Sequence, residues 1–197
     1  EKISYLGYPF SISENFQIKN TNKTIKDSED ELAEILSIAE KANKKVVVYL
    51  SMCFGNPYGD PWNLDIVNHW VYKLREMGVK SISLSDTIGT SNSESIKSIF
   101  NTVLKNHSDI EFGAHLHSDP NSWYIKIQSA FEAGCRRFDG AIKGFGGCPM
   151  ASNHLVGNLP TEKIISYLND QNISHNINPL LFEKCYNQSL EFFNKFQ

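Results

Sequence analysis

The chain has no long apolar run. Its longest, around Val46 to Leu50, is strand-sized, well short of the ~20 residues that cross a bilayer. It has no block of one charge. The 19 Lys and Arg against 22 Asp and Glu leave a net charge of −3, which argues against nucleic acid as a partner. No signal peptide opens it. Cysteine is scarce: Cys53, Cys135, Cys148 and Cys185 stand far apart, with no C-x-x-C pair. That excludes a disulfide framework and reads as reduced thiols in a cytoplasmic protein. No G-x-G-x-x-G follows a strand and no Walker A loop occurs, so neither common nucleotide fingerprint is present. No linker or low-complexity segment divides the chain.

What is there reads as one α/β domain over residues 1–197. Hydrophobic residues make up 41% of the chain and aromatics 12%, an ordinary globular composition. Residues 3–7 read as a short strand, followed by a polar loop through Ser13-Glu14 and Asn20-Thr21-Asn22. Leu32, Ile35, Leu36 and Ala39 repeat at helical spacing. Thr24, or Ser28 paired with Glu31, can cap that helix. Val46-Val47-Val48-Tyr49-Leu50 is a β-branched run typical of a strand buried on both faces. Asp60-Pro61 then supplies a cap and a first-turn proline for a helix carrying Ile66, Val67, Trp70, Val71 and Leu74, which Gly78 stops. Ser81 to Leu84 is a strand, followed by a serine-capped helix with Ile96, Ile99, Phe100, Val103 and Leu104. Ile110 to His117 is the fourth strand. Asp119-Pro120 repeats the cap-and-proline device before Trp123, Ile127, Ala130 and Phe131. Arg137 to Ile142 is the fifth strand. Two more helices follow, around Ile164, Ile165 and Leu168, and from Asn178-Pro179 onward. Strand and helix thus alternate five times, which calls for a parallel sheet. A closed (β/α)8 barrel takes ~250 residues and eight such units. Five units leave either an open sheet or a barrel lacking its first three units. The start at Glu1, with no Met and a strand at once, favours a piece of something longer.

The chemistry concentrates where strands end. In Gly113-Ala114-His115-Leu116-His117, two histidines two apart on a strand point to one side of the sheet. Converging imidazoles can hold a divalent metal. In a parallel barrel the C-terminal strand ends carry the active site. Cys53 and Tyr58 follow the second strand, Asp86 the third, and Cys148 and Asn158 the fifth. Each has a plainer reading: Asp86 can cap a turn, Cys53 can be a small buried apolar residue, and Asn158 can be a turn residue. Cys148 is harder to set aside. It sits in the loop Lys143-Gly144-Phe145-Gly146-Gly147-Cys148-Pro149, where glycines let the backbone approach a ligand. A reactive thiol there needs a thiolate-favouring neighbour such as a metal or Lys143.

Gly144-Phe145-Gly146-Gly147-Cys148-Pro149-Met150-Ala151 resembles the signature loop of the hydroxymethylglutaryl-CoA lyases. His115-x-His117 resembles that family's metal-binding strand end. Ser83-Leu84-Ser85-Asp86-Thr87-Ile88-Gly89 and Gly157-Asn158-Leu159-Pro160-Thr161-Glu162 are similar to two further family segments. Ser13-Glu14 and Cys53-Phe54-Gly55-Asn56-Pro57-Tyr58 also fall in order. The match covers nearly the whole chain. The resemblance implies a partial TIM barrel holding strands four to eight, without strands one to three. It implies cleavage of the acyl-CoA substrate 3-hydroxy-3-methylglutaryl-CoA to acetyl-CoA and acetoacetate, as in leucine degradation. It implies a divalent cation, Mg²⁺ or Mn²⁺, on His115, His117 and Asn158. Cys148 is then a mobile acid/base, with Asp86 assisting proton transfer and His115 serving both as ligand and in the relay. Ser83 and Tyr58 line the substrate pocket, and Glu162 orients its neighbours. A homodimer is a further implication.

The chain departs from the family in two places. Ser118 follows His117 where many members carry Asp, and the Arg-Asp pair of the family's first strand has no counterpart here. Two alternatives stay open: a related Claisen-type aldolase or condensing enzyme on another acyl-CoA, and a non-catalytic half-barrel or subunit of a split enzyme.

Overall fold

The computed structural model describes residues 2–147 and 156–196. Strand β2 (Lys45–Ser51) shows how its sheet is built. Val46, Val48 and Leu50 alternate onto one face and join an apolar cluster with Leu32, Val67, Val71 and Leu74. Tyr49 and Ser51 point to the other face, as a period of two requires. The same alternation buries Tyr8 and Phe10 of β1 (Tyr5–Ser11) and Ile82 and Leu84 of β3 (Ser81–Asp86). In β4 (Glu111–Leu116) it buries Phe112, Ala114 and Leu116. With β5 (Arg137–Phe138) the strands pair in parallel in the order β1-β2-β3-β4-β5. The fold is α/β, a partial TIM barrel in which each strand is followed by its helix.

The opposite face of the sheet is polar. Ser81, Ser83 and Ser85 of β3, His115 of β4 and Arg137 of β5 share it by register. A closed TIM barrel fills this layer with bulky branched side chains. Here Arg137 lies across it and donates to the hydroxyls of Ser81 (2.7 Å) and Ser83 (3.1 Å). Gly113 makes the room: a Cβ there would meet Arg137 Nε at 2.4 Å.

Local sequence signals fix most helix ends. Helix α2 (Ile25–Lys41) starts on a reciprocal capping box between Thr24 and Asp27, so of the two caps expected, Thr24 is the one used. Ser28 instead lies buried, and its hydroxyl accepts from Gln17. Helix α3 (Leu64–Glu76) is capped by Asn63, not by Asp60-Pro61. Asp60 turns away to accept from Ser13 and Asn15. Helix α4 (Ser93–Asn106) is capped by Asn92, with Ser95 reciprocating, rather than by a serine. Helix α5 (Trp123–Glu132) starts beyond Asp119-Pro120. The Asp119 carboxylate closes a tight turn by accepting from the backbone of Asn121 (2.7 Å) and Ser122 (3.1 Å). Helices α6 (Thr161–Asp170) and α7 (Pro179–Phe193) fall where expected, α7 with Asn178 as cap and Pro179 in the first turn.

Three expectations need correction. The first strand does not end at Gly7 but runs through Pro9 to Ser11, and proline is tolerated because its missing N–H falls on the side away from β2. The stretch read as a polar loop holds helix α1 (Glu14–Thr21), capped by Ser13. The fifth strand, expected to reach Ile142, pairs with β4 for two residues. Beyond it the chain turns to a new partner: Ala141 N–H donates to the Leu159 carbonyl at 3.0 Å, and a 3-10 turn follows at Ile142–Gly144.

At the open edge, the carbonyl of Ser4 accepts from Lys45 N–H and Ile12 N–H donates to Ser51, so the even-numbered residues of β1 face β2. Ser11 faces the other way, and its N–H is taken by the side chain of Gln17 at 2.7 Å.

Candidate active site at the C-terminal ends of the strands

His115 and His117 emerge from the end of β4 into an open pocket of ≈ 400 Å³ lined also by Phe16, Asn20, Tyr49 and Asn158. Their ring centroids are 5.5 Å apart. His117 is buried, and its Nδ1 lies 2.9 Å from the Thr87 carbonyl. A carbonyl can only accept, so Nδ1 donates and Nε2 keeps its lone pair. Burial lowers the pKa of His117 and the neighbouring His115 adds to that, against the Thr87 carbonyl. The ring is therefore held neutral, the form that binds a metal. His115 is about a third exposed, with Nδ1 3.4 Å from the Asp139 carboxylate. That is too long for a good hydrogen bond, and Nδ1 has no other partner. Burial works to raise the pKa of Asp139, but His115 and the hydroxyl of Ser83 outweigh it and hold the carboxyl below its ordinary range.

Asn158 reaches this place from far along the chain through an antiparallel bridge to His117. Its Nδ2 donates to the Phe145 carbonyl at 2.9 Å, and its side chain also bonds to the His117 ring, so its Oδ1 sits beside that imidazole. The donor set of the described residues is thus two imidazoles and one carboxamide. No group of three or more His, Cys, Asp or Glu among the described residues is arranged to hold a metal. The three atoms fit a divalent cation as part of a shell, since imidazole and amide oxygen both suit several such ions.

The structure therefore brings His115, His117 and Asn158 together, with Gly147 of the signature loop at the same pocket. Cys148 lies outside the described residues. Glu162 accepts from the Lys143 N–H at 3.0 Å and so braces the turn that leads into the loop.

Three expected site residues are placed elsewhere. Ser83 is turned from the pocket to donate to Asp139 at 2.8 Å. Its expected place on the pocket wall is taken by Ser85, one pleat nearer the strand end. Tyr58 stacks on Phe16, centroids 6.5 Å apart, under the Lys19 ammonium, and does not line the pocket. Asp86 is 0% exposed and paired with Lys126 at 2.7 Å. Its oxygens also receive the N–H and hydroxyl of Ser91. A carboxylate so engaged anchors the turn that follows β3.

Two residues escaped the sequence reading. Asp139 has a signal in hindsight, because alternation from Arg137 sets it on the face of His115. Tyr49 shows no motif. Its hydroxyl lies on the polar face, where burial and the charge of Asp139 raise its pKa, and its ring meets His115 edge-on at 5.3 Å.

A family model described as HMGL-like matches residues 8–185. The hydroxymethylglutaryl-CoA lyase of Bacillus subtilis is 32% identical over 167 residues, which are 85% of this chain and 56% of that protein. The cytoplasmic 3-hydroxy-3-methylglutaryl-CoA lyase of Homo sapiens is 31% identical over 177 residues, 90% of this chain and 47% of that one. A crystal structure of the Bacillus subtilis HMG-CoA lyase superposes with a TM-score of 0.89 at 28% identity, covering 98% of this chain and 64% of that one. The chain spans about half the length of the curated relatives it matches. Mammalian relatives carry both cytoplasmic and mitochondrial names. No helix among the described residues is long and apolar enough to cross a membrane.

Proposed function

This chain belongs to the HMGL-like family, and on that footing we propose that it forms strands four to eight of a carbon–carbon lyase barrel. The reaction is cleavage of 3-hydroxy-3-methylglutaryl-CoA to acetyl-CoA and acetoacetate. The observation that carries this reading is the convergence of His115, His117 and Asn158 on one pocket beside Gly147. Cytoplasmic placement and an acyl-CoA partner belong to the same reading.

A divalent cation, Mg²⁺ or Mn²⁺, supplies a Lewis acid that makes the substrate's tertiary hydroxyl acidic. His117 presents Nε2 to it, because Nδ1 is held by Thr87. Asn158 presents Oδ1, because its amide nitrogen is held by Phe145. His115 lines the same pocket with Asp139 behind its Nδ1; its Nε2 would hold the cation or, when not engaged there, take the hydroxyl proton toward that imidazole–carboxylate pair. The carbon–carbon bond then breaks: the alkoxide oxygen becomes the ketone of acetoacetate, and the electron pair passes to the thioester enolate. Cys148 delivers a proton to the enolate carbon to give acetyl-CoA. Asp86, paired with Lys126 and Ser91, would act through the turn that it anchors. Strands one to three supply the remaining donors, including an Arg and an Asp, from outside these 197 residues.

A coupled acetoacetate-release assay tests this on the native-length protein with Mg²⁺ or Mn²⁺. Turnover that depends on the metal and disappears in Cys148→Ala is the expected result. No acetoacetate from the native-length protein, with release of another ketone from a shorter or longer 3-hydroxyacyl-CoA, would instead make it a related Claisen-type enzyme.

A further inference from the structure

Lys126 is a cation inside the core. It sits on the apolar stripe of α5 among Trp123, Ile127 and Ala130, with its side chain 2% exposed. Its Nζ donates to Asp86 at 2.7 Å, to the carbonyl of His117 at 2.7 Å and to the carbonyl of Gly89 at 2.9 Å. An ammonium has three donors, and all three are in use. The acceptors belong to two segments that meet at the pocket: the end of β4 and the turn after β3. That turn also carries Thr87, whose carbonyl receives His117 Nδ1. His117 is therefore gripped twice, its backbone by Lys126 and its ring by a turn that Lys126 anchors. A buried ion pair contributes little stability beyond what apolar residues of the same volume provide, so stability alone does not account for placing a lysine here.

We infer that Lys126 is a positioning residue: it fixes the orientation of the His117 imidazole and so aims Nε2 into the pocket toward a divalent cation. The aim at a cation rests on the metal reading proposed above. The grip on the ring does not.

Lys126→Met alone strands the Asp86 charge in the core and risks unfolding. The paired variant Lys126→Met/Asp86→Asn removes both charges and keeps an acceptor for the Ser91 N–H. Lys126→Arg is the second variant. It keeps the charge, but a planar fork cannot aim three bonds as an ammonium does. Two quantities are read in the native-length protein: the ¹⁵N–¹H signature of the His117 ring, and Mn²⁺ affinity by paramagnetic resonance. A folded variant should lose the protected Nδ1–H signal and bind Mn²⁺ about 10–100-fold more weakly, the usual effect of removing a group that orients a ligand. A folded variant with an unchanged His117 ring signal overturns the proposal. Loss of the signal at unchanged Mn²⁺ affinity upholds the grip on the ring and overturns the metal reading of His117.

Discussion

His115 and His117 stand with their rings 5.5 Å apart and 64° from parallel, and each turns its Nδ1 to a different neighbour. For His117 that neighbour is the Thr87 carbonyl, and for His115 it is the Asp139 carboxylate. The His117 ring is thus held by a backbone hydrogen bond, whereas the His115 ring has a side-chain device, a carboxylate facing it at 3.4 Å.

The side-chain device can be removed by itself. Asp139→Ala should lower Mn²⁺ affinity about 10–100-fold while the far-ultraviolet dichroism and melting profile stay close to wild type. Titration of Mn²⁺ into the purified variant checks this. Unchanged affinity would mean that Asp139 does not orient His115.

Gly113 and Arg137 should be energetically coupled. A Cβ at position 113 would come 2.4 Å from Arg137 Nε and press on a guanidinium bonded to Ser81 and Ser83. Gly113→Ala should therefore destabilise the native sheet, and Arg137→Ser should relieve much of that loss. A double-mutant cycle in urea should show an interaction of about 0.5–3 kcal/mol. Additive losses would mean that the guanidinium moves aside freely.

His107 sets an acid limit on stability. It is buried, and burial together with the charge of Arg75 lowers its pKa from the ordinary 6.5. In the window below that value the unfolded chain binds a proton that the folded one refuses. Stability is then fully present above the unfolded pKa and falls as pH drops through it. His107→Gln, which can still donate to Asn68, should flatten the urea midpoint between about pH 7 and about pH 5. An equally steep decline in the variant would assign the acid sensitivity to other groups.

The described thiols should separate by reactivity. Burial pushes Cys53 up to about 12 and Cys135 up to about 11, whereas Cys185 is exposed. A thiolate-selective reagent should modify Cys185 in the native protein and reach Cys53 and Cys135 only on unfolding. In a Cys185→Ser background, any remaining fast thiol identifies Cys148, and peptide mass mapping gives the answer.

The centre of the sheet should tolerate little loss of volume. Leu84 lies in the middle strand with 0% exposure. Leu84→Ala should cost about 2–5 kcal/mol, measurable as a fall in the urea midpoint with the slope unchanged.

The alternation of strand and helix was legible because one face of each strand is apolar: Val46, Val48 and Leu50, or Ile82 and Leu84, state their own burial. The His115–His117 pair was legible for the same reason, since a period of two sets both rings on one side. What escaped notice was decided by tertiary partners. Helix α1 has no apolar stripe and is held by its Ser13 cap and by Gln17 reaching Ser11 and Ser28. The partner of Asp86 was not legible, because Lys126 lies forty residues away on a helix. Asp119-Pro120 and Asp60-Pro61 carried good capping chemistry, yet Asp119 closed a turn instead and Asp60 bonded to Ser13 and Asn15 at the start of α1.

The bond from Ser11 N–H to Gln17 also limits what can stand beside β1. The residues facing outward there are Tyr5, Gly7, Pro9 and Ser11. Proline has no N–H to offer, and that of Ser11 is already engaged. A neighbouring strand finds backbone donors at Tyr5 and Gly7 and none further up. Whatever stands beside β1 can therefore exchange bonds in both directions along its lower half, but toward the rim, where the pocket opens, it meets carbonyls alone and must supply every donor itself.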